Sequence, residues 1–216
     1  MNTILIPAFQ LIALIFSVML HEVAHGFAAL RLGDTTAKDA GRLTLNPLKH
    51  LDPVGSVILP IVLYAINSPV MLGWAKPVPY NPNNLYRDYK YGPLKVALAG
   101  PLTNILVAFI FGVSLRFGAS LLPASAVALM GYIVFLNLTL AVFNLIPIPP
   151  LDGSKLLSLV SPRYTFWIER SGFAGLLLVM VFIYFFSGVI YFISASLFQL
   201  FAGGAAVDVF IRFFSG

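Results

Sequence analysis

Residues 4–32 read ILIPAFQLIALIFSVMLHEVAHGFAALRL, an almost unbroken apolar run interrupted by His21, Glu22 and His25. A run beyond ~18 residues is long enough to cross the hydrocarbon core of a bilayer. Ionisable side chains are costly there, so three of them in five residues need a compensating reason. On a helix, positions i and i+4 share a face, so the imidazoles of His21 and His25 can reach one metal ion. Glu22 is displaced around the helix yet stays close to that ion. Coordination supplies the reason.

Outward from this stretch the chain stays apolar. Of its 216 residues 59% are hydrophobic and 10% charged, with mean hydropathy +0.93, whereas ordinary soluble domains carry ~25% charged residues. Residues 93–117, 124–146 and 172–201 form three further long apolar segments. The expected fold is therefore an all-α polytopic membrane protein with about four long transmembrane helices. Residues 54–66 are shorter than a usual span and leave a crossing and a re-entrant or interfacial piece both open. Residues 69–91 are rich in Pro, Asn and Tyr, and Pro77, Pro79 and Pro82 interrupt any helix. A re-entrant or β-like segment is thus expected between the first two core helices. A short helix at 156–160 and an amphipathic interfacial one at 205–214 complete the reading. No polar region is long enough to fold alone, so 1–216 reads as one membrane-embedded domain, with its motifs in 14–155 and a last span at 172–201.

The chain has no cysteine, which excludes disulfides, thiolate zinc sites and cysteine nucleophiles. The net charge of +5 fits loops near anionic headgroups better than a nucleic-acid surface. The N-terminus lacks a basic n-region and a small-residue cleavage site, so it reads as a retained span. If 54–66 does not cross, Arg31, Lys38, Arg42, Lys49, Lys76, Arg87, Lys90, Lys95, Lys155, Arg163 and Arg170 share one side, and Arg116 and Arg212 the other. The positive-inside rule then makes the basic loops cytoplasmic and both termini external.

In that topology the polar clusters arrive at similar depth on the cytoplasmic side. They are His21–His25, Gly100-Pro101-Leu102-Thr103-Asn104, and residues 144–153, NLIPIPPLDG. The spacing HEVAH is that of zinc metalloproteases, in which two His bind the metal and Glu is general base. Catalytic zinc takes three protein ligands and leaves one position open. Asp152, presented by a proline-broken chain, is the expected third ligand. His50 is its competitor, but lies in a polar loop beside Lys49.

With these motifs in order, the chain resembles the site-2 protease family of intramembrane zinc metalloproteases. HEVAH, GPLTN and NLIPIPPLDG match its signatures, and residues 45–56 (LNPLKHLDPVGS) and 73–82 (GWAKPVPYNP) resemble its intervening region. The resemblance implies one Zn²⁺ per chain on His21, His25 and Asp152. It implies Glu22 as catalytic acid/base and Asn104 near the substrate or oxyanion. No PDZ-like or CBS-like appendage fits, so a minimal form is expected.

The expected function is hydrolysis of a peptide bond in or near a transmembrane segment of another membrane protein. The expected location is the plasma membrane of a prokaryote, with the site toward the cytoplasm. Residues 71–82 are expected to offer a β-like edge to an unwound substrate, so Gly73, Pro77, Asn104 and Asn144 are the substrate-binding candidates. Partners are the bilayer and the substrate, with no nucleic acid; oligomeric state is not legible. Two other classes compete. An inert helix-binding relative is disfavoured by the intact Glu22, and a metal or proton transporter would want more polar residues along its spans. The bland alternatives are an N-cap for Asp152, a helix–helix hydrogen bond for Asn104, and satisfaction of proline-freed backbone for Asn144.

Overall fold

The computed structural model describes residues 4–58, 61–62, 65–66, 76–158 and 162–215. Among the described residues four helices are long and apolar enough to cross a membrane: Leu5–Leu32, Gly92–Leu121, Ala124–Asn144 and Leu177–Ala202. The expected all-α, multi-pass architecture is borne out. The chain divides into two compact units, Met1–Val96 and Ala97–Gly216.

The first unit is built on α1, Leu5–Leu32. It ends at Gly33, whose φ of 115° is open to glycine. The Gly33 and Asp34 N–H groups bond back to the carbonyls of Leu30 and Ala29 at 3.1 and 3.0 Å. Two more terminal carbonyls, of Arg31 and Leu32, are taken by the Arg87 side chain and backbone at 2.8 and 3.2 Å. Beyond the turn lies α2, Thr36–Asp39.

The fully buried Asp34 carboxylate ties this end of α1 to the loop that follows residue 80. It accepts from the Thr36 N–H and hydroxyl, the Asn81 N–H at 2.7 Å and the Asn84 amide at 3.1 Å. Burial pushes its carboxyl up, but these hydrogen bonds outweigh that and hold it below the ordinary aspartate value. The loop is thereby fixed so that Leu85 packs with Ala29 and Val96.

Among the described residues there is no strand. In the expected β-like region Leu51 carries an isolated β-bridge, while residues 76–81 form no regular element, since Pro77 and Pro79 lack the N–H a ladder needs and hold their neighbours to open conformations. Residues 71–75, with Gly73, lie outside the described residues. In 54–66, Pro53–Ile58 makes one wide π-helical turn, started by the Asp52 carboxylate on the Val54 and Gly55 N–H groups at 3.0 and 2.7 Å. The remainder of that segment is only partly described.

The second unit contains most of α3, Gly92–Gly118, then α4, Ala124–Asn144, and α5, Ser154–Ser158. The 41-residue α6, Pro162–Ala202, and α7, Gly204–Ser215, complete it. Its core joins Ala108 and Leu115 of α3, Val134 and Leu138 of α4, Phe198 of α6 and Ala206 of α7. α6 begins ten residues before the expected 172, because Pro162 suits a first helical turn while the polar residues after it lie outside any hydropathy window. The α7 tail is helical as expected, with its apolar face against protein: Phe210 meets Phe198 and Phe135 with ring centroids 5.3 and 5.9 Å apart.

Candidate metal and catalytic site

His21 and His25 stand one turn apart on α1, both buried, with ring centroids 4.6 Å apart and planes at 85°. The Val96 carbonyl lies 2.7 Å from His25 Nδ1. A carbonyl only accepts, so Nδ1 carries the proton, and in the neutral imidazole the lone pair a metal would use lies on Nε2. Orientation of a ligating imidazole by a carbonyl on its other nitrogen is the usual outer-shell arrangement at metal centres.

Glu22 is half-buried beside this pair. Its Oε2 accepts the Val78 N–H at 2.8 Å. That contact depends on Gly26, one turn along the same helix face. A Cβ there would come within 2.5 Å of Leu43 Cδ2 and 2.8 Å of Val78 Cγ1. The missing side chain lets the stretch at 76–81 lie close on α1.

Pro77, a substrate-binding candidate, belongs to this stretch, and its carbonyl lies 3.4 Å from an Arg42 Nη2. His50 is not a solvated loop residue: it is 1% exposed, and its Nε2 is 2.9 Å from the Thr44 carbonyl. It serves as a loop staple.

Asp152, Asn104 and Asn144 lie in the second unit. Asp152 belongs to a loop folded tightly after α4, with a cis Pro149–Pro150 bond. The Gly153 N–H reaches back to the Asn144 carbonyl at 2.7 Å. A Cβ on Gly153 would strike the backbone of Leu145 and Ile146, so only glycine lets the loop close. Asp152 is half-buried, and its carbonyl accepts the Lys155 N–H at 3.0 Å.

Asn104 is fully buried and donates from Nδ2 to Asn137 Oδ1 at 2.7 Å, bridging α3 and α4. The Asn137 amide donates to the Ile133 carbonyl at 2.9 Å, which fixes its orientation. Asn144 donates from its amide to the Leu140 carbonyl at 2.9 Å, one turn back on its own helix.

The structure therefore brings His21, Glu22 and His25 together with Val78, Val96 and Gly26, none of which was singled out from sequence. Val78 had a signal: it is the one residue with an N–H between Pro77 and Pro79. Asn137 had a weaker one, as an amide in the middle of an apolar helix.

The description Peptidase family M50 attaches to the family model that matches residues 117–187. Beyond it, the chain is 37% identical over 161 residues to Putative zinc metalloprotease YwhC of Bacillus subtilis (strain 168), covering 71% of this chain and 69% of that one. The chain belongs to peptidase family M50. This M50 peptidase is also 37% identical over 144 residues to Putative zinc metalloprotease Rip2 of Mycolicibacterium smegmatis, covering 64% of this chain and 52% of Rip2. Zinc metalloprotease MJ0392 of Methanocaldococcus jannaschii is 27% identical over 165 residues, 76% of this chain and 38% of its own. Thus the M50 peptidase spans about half of Rip2 and less of MJ0392. No solved structure matches it. The resemblance to site-2 proteases is borne out at the level of family, and with it the class of zinc metalloprotease and zinc as the metal.

Proposed function

We propose that this M50 peptidase is an intramembrane zinc endopeptidase that hydrolyses a peptide bond in or near a transmembrane segment of another membrane protein. The observation that carries the reading is the pair His21 and His25 with Glu22 on an apolar helix long enough to span a bilayer. The third ligand in this reading is Asp152. It supplies the third protein donor that catalytic zinc requires beside two histidines. Two imidazole nitrogens and a carboxylate oxygen suit Zn²⁺ and leave its fourth position to water.

Bound zinc would lower the pKa of a water toward ~7 and polarise the scissile carbonyl. The chain's own residues do the rest. Glu22 takes the proton of the attacking water and delivers it to the leaving amine. Val78 holds one Glu22 oxygen by its N–H, and among the described residues Oε1 has no partner and can carry that proton. Asn104, oriented by Asn137, donates toward the developing oxyanion, a contact whose loss costs ~3 kcal/mol in comparable sites. Pro77 belongs to the stretch that in this reading receives an unwound substrate, and Gly73 and Asn144 are the further substrate-binding candidates.

The basic loops support a cytoplasmic site, and the bacterial and archaeal relatives support a prokaryotic membrane. The test is cleavage of labelled transmembrane substrates by purified protein in lipid, with and without a chelator. Zinc should restore chelated wild type, and Glu22→Ala should bind zinc without cutting. Undiminished cleavage by Glu22→Ala would overturn the reading.

A further inference from the structure

Arg42 is 7% exposed, yet among the described residues no carboxylate pairs with it. Its Nη2 donates to the Lys76 carbonyl at 2.6 Å and approaches the Pro77 carbonyl at 3.4 Å, while among the described residues its Nε has no acceptor. Burying a guanidinium this way is expensive, and an apolar side chain of similar volume would fill the space at lower cost. What an apolar side chain cannot supply is a fixed planar donor aimed at two successive carbonyls.

The peptide so gripped leads directly to Glu22. Lys76 is held a second time, by its N–H on the His50 carbonyl at 2.8 Å. Pro77 and Pro79 lock φ on either side of Val78, so the stretch is stiff. A tether at Lys76 therefore fixes the direction of the Val78 N–H, which meets Glu22 Oε2 at 2.8 Å. We propose that Arg42 is a positioning residue for Glu22, acting through the backbone of residues 76–78. This rests on Glu22 being the proton carrier of the proposed reaction.

The test uses the full chain in lipid with a labelled transmembrane peptide, measuring kcat, KM and bound zinc for Arg42→Met, Arg42→Lys, Val78→Pro and the double variants. Val78→Pro removes the one N–H that Arg42 is argued to aim, at a residue already held open by Pro79. Arg42→Met should lower kcat roughly tenfold to a hundredfold, the scale of a small misplacement of a reacting group. KM should stay within about twofold and zinc content unchanged. Arg42→Lys, which keeps one donor, should recover part of the loss. Arg42→Met should cost nothing further in the Val78→Pro background, since the contact it serves is already gone.

A kcat within about twofold of wild type for Arg42→Met overturns the proposal. So does a rise in KM alone, or multiplicative effects of Arg42→Met and Val78→Pro. Should Arg42→Met not fold, Arg42→Lys with Val78→Pro decides by the same rule. Glu22→Ala stands apart: if it cleaves, the proton-carrier reading fails, whereas an inactive Glu22→Ala with a fully active Arg42→Met sinks only the role of Arg42.

Discussion

Gly26 shows how much of this site rests on atoms that are not there. Adding one methyl would press on Leu43 and Val78, and overpacking of this kind costs about 1–3 kcal/mol. Gly26→Ala is expected to lower the unfolding temperature and slow cleavage while zinc stays bound, because His21 and His25 are untouched. Gly118→Ala, where nothing lies within 4 Å, is the control and should do neither. Gly153 is less forgiving, since its neighbours are backbone atoms that cannot swing aside. Gly153→Ala is expected to reopen the loop that carries Asp152 and reduce zinc per chain, read directly by metal analysis. The histidines and Glu22 were legible because helical spacing alone puts them side by side. Val78 was not, because its contribution is a backbone N–H arriving from 56 positions away; the flanking prolines single out that N–H but do not say what it meets. Arg42 was read as one more topological charge, which its sequence neighbours do nothing to contradict.

Helices were easier to read than what joins them. α1, α3 and α4 were found within two residues of their observed ends, since long apolar runs bounded by Gly or Pro leave little freedom. The joining segments take shape from single buried groups, as Asp34 illustrates. Its carboxylate is held ionised by the N–H and hydroxyl groups of Thr36, Asn81 and Asn84. Because its folded value lies below its unfolded one, its contribution is complete above the ordinary aspartate range and is lost as pH falls through the folded value. Asp34→Asn should therefore destabilise the protein near neutrality by about 1–3 kcal/mol. That difference from wild type should shrink below about pH 4. Unfolding followed from pH 7 to pH 3 checks it, and a difference that does not change with pH refutes it.

At the scale of the whole molecule, the absence of cysteine makes topology directly measurable. In the four-span reading, Lys38 and Lys155 face the cytoplasm and Ser120, in the turn between α3 and α4, faces outward. Single substitutions Lys38→Cys, Lys155→Cys and Ser120→Cys in intact cells should separate under an impermeant maleimide, with only Ser120→Cys labelled. Labelling of Lys38→Cys would reverse the orientation drawn from loop charge. The number of span-length apolar helices among the described residues followed from hydropathy because lipid imposes one coarse rule on every lipid-facing helix. The catalytic surroundings obey finer rules, of hydrogen-bond reach and close contact, that hydropathy does not carry.

The stretch at 76–81 has a last consequence, for inhibitors. Its Lys76, Val78 and Asn81 N–H groups are bonded inside the unit, and two of its residues are prolines. The Val78 and Pro79 carbonyls, by contrast, have no hydrogen bond among the described residues. A peptide mimic laid alongside would thus find acceptors and few donors. Methylating its amide nitrogens one at a time should abolish inhibition at alternate positions, while replacing its carbonyls should be tolerated wherever the scissile bond is spared.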